Sequence, residues 1–427
     1  MNIYINPKKE LWQELCTRPS STNAGVQKTV EGIIEKVRTR GDDAIRELAK
    51  EIDGITLDNL LVYPGESVQA ASEISEELKK AINEAYANIE AFHKAQIPQT
   101  VTVQTAPGVT CIQKPVAIDS VGLYVPGGTA PLFSPVLMLA IPAKLAGCKE
   151  IILCSPASRE TGRIAPAVLY AAKLCGVTKV FRIGGAQAIA AMAFGTQSVP
   201  KVCKIFGPGN QYVTTAKQML GGRNVAIDMP AGPSEVMVIA DESANPAFVA
   251  ADLLSQAEHG RDSQVMLVCS KESIAKEVEQ QVMEQAARLG REEFIEAALS
   301  KSRFVVFGST ADMVAFANSY APEHLIISTK EPWNVAQGIT AAGSVFIGNW
   351  SPESAGDYAS GTNHTLPTCG WAAAYSGVNM DSYFKKITFQ ELSREGLNGL
   401  AGTIVTMAMN EGLDAHANAV KIRLENE

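Results

Sequence analysis

The sequence predicts an α/β protein of two parallel-sheet units with small helical N- and C-terminal extensions. Three observations carry this. From Val116 to Met229, and again from Val236 to Gly348, short strand-like apolar runs alternate with helix-like runs. That alternation is the mark of parallel strands joined by right-handed crossovers. Most strands of the first series end in a glycine-containing loop before a helix, and the two flanks of the chain show helical spacing instead.

The elements follow in order. Val26 to Lys36, Asp42 to Ile52 and Ser75 to Ile97 carry spaced apolar positions with Lys and Glu on the other faces, and read as solvated amphipathic helices. His93 lies among polar neighbours there and reads as structural. Val116 to Val125 reads as extended chain leading into the loop Pro126-Gly127-Gly128-Thr-Ala-Pro131. Glu150 to Ser155, Val180 to Ile183, Lys204 to Phe206 and Val225 to Met229 are strands. Helices Ala165 to Cys175, Ala186 to Phe194 and Gln211 to Leu220 separate them. Pro230 to Glu235 is a turn, and Val236 to Ile239 opens the second series. That series continues through strands Gln264 to Cys269, Arg303 to Phe307, His324 to Ser328 and Ser344 to Gly348. Beyond Gly370, Thr388 to Glu395, Gly399 to Met409 and Leu413 to Val420 read as helices too small to fold alone.

Ligands of open α/β sheets bind at the carboxyl ends of strands. The loops Gly127-Gly128, Gly184-Gly185 and Gly207-Pro-Gly209 therefore fit either one dinucleotide crevice or plain tight turns. Gly207-Pro-Gly209-Asn-Gln-Tyr212 lacks the third glycine of the dinucleotide fingerprint.

Composition excludes several classes. Hydrophobic content of 46% and charged content of 19% describe an ordinary globular chain, and a net charge of -8 gives no support to nucleic-acid binding. No apolar run reaches membrane-spanning length, and residues 1–10 carry no secretory signature, which predicts a cytoplasmic protein. Eight scattered cysteines include no Cys-x-x-Cys pair and read as small buried hydrophobes in a reducing compartment.

The chemistry-bearing residues concentrate in the C-terminal half. Asn245 to His259 reads as one helix, capped by Asn245, with Pro246 in its first turn and Gly260 at a left-handed C-terminal position. Gln256 and His259 are three apart and share a face. Imidazole suits zinc, while a helix-end histidine also serves as a dipole partner. Four of the five histidines, His259, His324, His364 and His416, stand beside carboxylates or amides, in Gln256-Ala-Glu-His259, Glu323-His324, Asp357 to His364 and Glu411 to His416. Taken together they favour a site over four structural histidines.

Seven segments in fixed order carry a resemblance over nearly the whole chain. They are Val121-Gly-Leu-Tyr-Val-Pro-Gly-Gly-Thr-Ala-Pro-Leu-Phe-Ser134, Gly184-Gly-Ala-Gln-Ala188, Ile205-Phe-Gly-Pro-Gly-Asn210 and Ile227-Asp-Met-Pro-Ala-Gly-Pro-Ser-Glu235, then Leu254-Ser-Gln-Ala-Glu-His-Gly260, Pro322-Glu-His-Leu-Ile326 and Ser351-Pro-Glu-Ser-Ala-Gly-Asp-Tyr-Ala-Ser-Gly-Thr-Asn-His364. With them the chain resembles the histidinol dehydrogenase family. The resemblance implies two incomplete Rossmann-like domains and oxidation of L-histidinol through L-histidinal to L-histidine with NAD+. It implies one Zn2+ per subunit held by Gln256, His259, Asp357 and His416, and Glu323 and His324 as the catalytic acid/base pair. It implies substrate contacts from Ser234, Gln256, His259, His324, Asp357, His364, Glu411 and His416, and NAD contacts from Tyr124, Gln187 and Asn210. It further implies a homodimer with shared active sites. The expected division is an extension at 1–20, a metal-motif α/β domain at 21–123 plus 234–370, an NAD-binding domain at 124–233, and a helical tail at 371–427 packing on the partner.

The residue types suit this chemistry. An alcohol releases hydride only when its O–H proton leaves, and an imidazole is the base poised for that near neutral pH. A zinc hydrolase using Glu323 as base is the first alternative, but no His-Glu-x-x-His helix supports it. A non-catalytic binding protein of the same fold is the second, and the presence of both Glu323 and His324 argues against it.

Overall fold

A computed structural model describes residues 1–18, 24–127, 132–230 and 232–425. Gly128, part of the first expected glycine crevice, lies outside the described residues. Two open parallel sheets organise the chain. One has five strands in the order Lys179–Arg182, Glu150–Ser155, Ser120–Tyr124, Lys204–Phe206, Ala226–Ile227. The other has six, in the order Asn2–Ile5, Arg303–Val306, Gln264–Cys269, Glu235–Ala240, His324–Ser328, Ser344–Ile347. Counted from Ser120–Tyr124 and from Glu235–Ala240, both follow the order 3-2-1-4-5 of a dinucleotide fold that stops one strand short. The Glu235–Ala240 and Gln264–Cys269 strands are buried at every position, as strands covered on both faces must be, so past their first residue they read as unbroken apolar runs.

The helices assign residues to these sheets differently from the expected division. Val30, Ile33, Val37 and Ile45 pack with Ile152, Phe181 and Ile189, and Ile82 and Ile89 pack with Val121 and Leu153. Residues 24–94 therefore cover the five-stranded sheet, not the metal-motif sheet. At the N-terminus, Asn2–Ile5 adds the edge strand beside Arg303–Val306, while Trp12 and Leu15 enter the core with Met237, Val268 and Phe316. Residues 1–18 thus belong to the six-stranded unit and do not form a free extension. Charged faces carry no address for a particular sheet, which is why periodicity finds these helices but not their partner.

Three further expectations shift. The extended run Val116 to Val125 divides into Val109–Ala117 and Ser120–Tyr124, which belong to different sheets. Val225 to Met229 keeps only Ala226–Ile227 as strand. Thr388 to Leu392 is not helical. It closes a nine-residue strand, Phe384–Leu392, antiparallel to Val109–Ala117, which also pairs with Val101–Ala106. Ladder pairing overrides a short amphipathic pattern here. The tail helices Arg394–Asn410 and Asp414–Glu425 extend from this three-stranded arm. Phe389 is 48% exposed and Met407 60%. A three-stranded sheet is stable only with a hydrophobic face or a helix packed against it.

His93 is structural. It is buried, with Nδ1 2.8 Å from the Ile89 carbonyl and Nε2 3.3 Å from the Asn363 amide. All eight cysteines are free. Burial pushes the Cys148 thiol up to about 12, far from the thiolate that a nucleophile requires. Replacing Cys111 or Cys148 singly with Ala is therefore expected to leave turnover near native. A loss of several orders of magnitude in either variant would reveal thiol chemistry.

Candidate active site

The glycine loops do converge at the carboxyl ends of the five-stranded sheet. Gly207 has φ +125°, and a Cβ there would lie 2.1 Å from the Tyr124 carbonyl oxygen, so no other residue fits between these strand ends. The Asp228 carboxylate accepts the Gly207 N–H at 2.9 Å, while Lys217 Nζ donates to the Gly207 carbonyl at 2.8 Å. Tyr124 is buried, and its hydroxyl accepts the Gly185 N–H at 3.0 Å. Gln187 is buried and its Nε2 reaches Asp53 at 3.4 Å. Asn210 caps the helix Gln211–Leu220, accepting from the Tyr212 and Val213 N–H groups at 3.0 and 3.2 Å. This loop cluster sits where the strand order reverses, the position at which such sheets bind ligands.

The acid and imidazole residues assemble elsewhere, at the amino ends of the six-stranded sheet. The link 228–234 joins the two regions, running from the last strand of one sheet to Glu235, the first residue of the other. Glu235–Ala240 and His324–Ser328 are paired neighbours, with His324 beside Val236. The Glu235 backbone holds both catalytic candidates. Its N–H donates to Glu323 Oε2 at 2.8 Å, and its carbonyl lies 3.2 Å from His324 Nδ1. A carbonyl only accepts, so a proton on Nδ1 suits this contact, while Nε2 faces Asp357 Oδ1 at 3.6 Å. Ser234 precedes this strand, half-buried.

The helix Pro246–Ala257 is capped as expected, with Asn245 accepting from the Ala247 N–H. It ends through Glu258 with φ -74° and ψ -14°, and Gly260 does not take a positive φ. Gln256 is fully buried, with Nε2 3.3 Å from His324 Nδ1. The short helix Glu353–Tyr358 brings Asp357 Oδ1 to 3.6 Å from His324 Nε2 and 4.0 Å from His364 Nδ1. Asn363 anchors the loop before His364 by donating to the Met138 carbonyl at 2.6 Å. His259, Glu353 and Asp357 offer ligand atoms within 4.8 Å of one another.

Glu353 was not foreseen. It is 1% exposed and lies 3.7 Å from His324 Nδ1, the same separation as Glu323. A Glu in the first turn of a helix is usually a solvated dipole partner, so nothing in its spacing sets it apart. Glu235 was quoted only within a motif, yet it forms a two-pronged ion pair with Arg18 at 2.9 and 3.1 Å.

Electrostatics tie the cluster together. Burial pushes the Glu323 carboxyl up to about 8. Burial opposes charge on His324, but Glu353, Glu323 and Asp357 outweigh it and push the imidazole up to about 10. Burial lowers His364 to about 4, which leaves it neutral at physiological pH. Gln256 Oε1, Glu353 Oε2 and His324 Nε2 are buried without a hydrogen-bond partner. Buried polar atoms are seldom left so. Three carboxylates, an amide oxygen and imidazole nitrogens form a donor set that fits a divalent cation such as zinc.

Within the chain, Glu411 and His416 do not join this cluster. Glu411 follows the helix Arg394–Asn410, His416 lies on Asp414–Glu425, and both are exposed on the arm.

Two dinucleotide-type sheets, one ending in a glycine cradle and the other opening on a buried acid–imidazole cluster, make this an oxidoreductase of the two-Rossmann kind. A histidinol dehydrogenase family model matches residues 16–424, and the chain is 56% identical to histidinol dehydrogenase from Bacteroides fragilis over 100% of this chain and 99% of that one. It is 53% identical to the Salmonella typhimurium enzyme, covering 97% and 95% of the two chains, and the crystal structure of histidinol dehydrogenase from Elizabethkingia anophelis superposes with a TM-score of 0.97 at 49% identity, over 100% and 98%. The chain belongs to the histidinol dehydrogenase family, NAD-dependent oxidoreductases that carry out the final step of histidine biosynthesis.

Proposed function

We propose that Gln256, His259 and Asp357, with His416 of the partner subunit, hold one Zn2+, and that Glu323 and His324 perform the acid/base work on L-histidinol. The convergence of His259, Asp357 and Glu353 within 4.8 Å, with Gln256 Oε1 unpartnered beside them, carries this reading. When bound, zinc supplies positive charge that offsets the surrounding carboxylates and orients the substrate's imidazole and amine. That charge opposes the imidazolium that Glu353, Glu323 and Asp357 otherwise favour, so that His324 can take the alcohol proton at Nε2 as hydride leaves for NAD+. Glu323 activates the water that adds to the aldehyde, and the hydrate gives up a second hydride to a second NAD+. The buried cluster keeps the reactive aldehyde from escaping between steps.

Ser234, His364 and Glu411 complete the substrate site in this reading, Glu411 from the partner subunit. Tyr124, Gln187 and Asn210 line the NAD crevice. A homodimer accounts for the exposed arm, which carries His416 and Glu411 away from its own chain's cluster. No described helix is long and apolar enough to cross a membrane.

Removal of one ligand tests the metal assignment. His259→Ala is expected to lower bound zinc well below one equivalent per chain, with an unchanged circular dichroism spectrum. Full zinc content in that variant would remove His259 from the site.

A further inference from the structure

We infer that Arg18 is a positioning residue: its guanidinium ties the Glu235 side chain to the backbone just before Glu323, and so sets how Glu235 presents Glu323 and His324. The inference rests on the assignment of those two residues to the acid/base work. Packing delivers Arg18 to this place. The helix Lys9–Leu15 buries Trp12 against Phe316 of the helix Thr310–Tyr320, with ring centroids 5.4 Å apart. The chain that follows brings the Arg18 guanidinium carbon to 3.7 Å from the Tyr320 ring centroid. A planar guanidinium can stack on an aromatic face and keep its edge free for a carboxylate. That edge meets Glu235, with Nε donating to Oε1 at 2.9 Å and Nη2 to Oε2 at 3.1 Å. Nη2 also donates to the Tyr320 carbonyl and lies 3.5 Å from that of Ala321. The Cys369 N–H is a further donor to Glu235 Oε1, at 2.8 Å.

These contacts grip both sides of the acid/base pair. Glu235 is the first residue of its strand, one place before the paired register with His324–Ser328 begins at Val236. Element ends open more readily than their centres, so side-chain anchors matter most there. The Glu235 N–H and carbonyl are the groups that meet Glu323 Oε2 at 2.8 Å and His324 Nδ1 at 3.2 Å. On the other side, Ala321 has φ +50°, a conformation that a residue with a Cβ holds only where its surroundings over-determine it. Glu323 follows two residues later. One guanidinium thus fixes both the strand entry that holds the pair and the turn that delivers it.

Stability alone does not account for the ion pair. The Arg18 side chain is 15% exposed and that of Glu235 1%. Desolvating two such charges offsets most of their attraction, and uncharged partners of similar volume commonly serve a fold as well. A purely structural role therefore predicts that neutralising both partners restores stability and rate together. A positioning role predicts that stability returns while rate does not.

The experiment compares Arg18→Lys, Arg18→Met and the double variant Arg18→Met/Glu235→Gln in the full-length protein. Tm, bound zinc, the KM for NAD+ and single-turnover rates from L-histidinol and from L-histidinal are measured. Arg18→Met leaves the Glu235 carboxylate buried without its partner and is expected to lower Tm and both rates. The double variant is expected to recover Tm to near native, with zinc content and KM for NAD+ unchanged. Both its rates should stay roughly 10- to 100-fold below native, the size of loss that a small misplacement of reacting groups produces. Arg18→Lys keeps the charge but not the two-pronged fork. It is expected to hold Tm and zinc and still lose rate, and it decides the question where the methionine variants do not fold. Rates that return with Tm in the double variant overturn the positioning role. So do native rates in Arg18→Lys, or rate losses matched by loss of zinc. Glu323→Gln and His324→Gln are the controls for the underlying assignment. If both keep native rates in both steps, the acid/base assignment falls and the inference with it. If they lose rate while the Arg18 variants do not, the assignment stands and the positioning role alone is lost.

Discussion

Glu323→Gln is expected to retain the oxidation of L-histidinol to the aldehyde level while losing most of the oxidation of L-histidinal to L-histidine. The two residues differ in what they offer. His324 presents Nε2 to Asp357 Oδ1 at 3.6 Å, while Nδ1 faces the Glu235 carbonyl at 3.2 Å. Glu323 has one oxygen engaged by the Glu235 N–H at 2.8 Å, and burial pushes its carboxyl up to about 8, a value suited to proton exchange with water. Only the second oxidation needs that water. A well-placed acid or base typically contributes on the order of 100- to 10,000-fold. The loss should fall in that range for the second step and well below it for the first. Single-turnover reactions started from L-histidinol or from L-histidinal, with NAD+, measure the steps separately. Equal damage to both would mean that Glu323 and His324 act as one coupled unit, as two ionisable groups 3.7 Å apart can.

Mixing a His259→Ala chain with a His416→Ala chain is expected to recover activity that neither variant shows alone. If each site takes His416 from the partner subunit, a mixed dimer has one site with both lesions and one with neither. Random reassortment makes about half of the dimers mixed, so roughly a quarter of native activity should return. The arm motivates this: His416 and Glu411 are exposed in the chain, and the Phe389 and Met407 side chains of the same arm are uncovered. Subunit exchange is verified by native mass spectrometry. No recovery despite exchange would assign His416 to its own chain's site.

The order of elements was readable from the sequence because strands buried on both faces leave unbroken apolar runs, as in Val236 to Ala240. Domain membership was less readable. The pattern in Val26 to Lys36 gives a buried face but not the sheet it buries against. The strand Phe384–Leu392 was missed because its partner, Val109–Ala117, lies far away in sequence. At the site, motifs in family order identified Gln256, His259, Glu323, His324 and Asp357, and the fold brings all five together. Glu353 went unseen because its significance lies in its burial beside His324, which leaves no spacing signal.

The root of the arm has an energetic consequence. Tyr383, the residue before the strand Phe384–Leu392, stacks on Phe206 with ring centroids 4.3 Å apart and planes 8° from parallel. Phe206 in turn immediately precedes Gly207. Lys204 Nζ reaches the Ser382 carbonyl at 2.9 Å, and Ile118, between the arm strand Val109–Ala117 and the strand Ser120–Tyr124, donates to the Tyr383 carbonyl at 2.9 Å. The proposed association through the arm and the proposed dinucleotide site at the glycine loops thus bear on the same packed ring. Thermodynamic linkage makes any such coupling reciprocal. A factor by which pairing of subunits tightened NAD+ would be the same factor by which NAD+ tightened the pairing. Sedimentation equilibrium with and without NAD+ would read that factor directly as a change in the dissociation constant between chains.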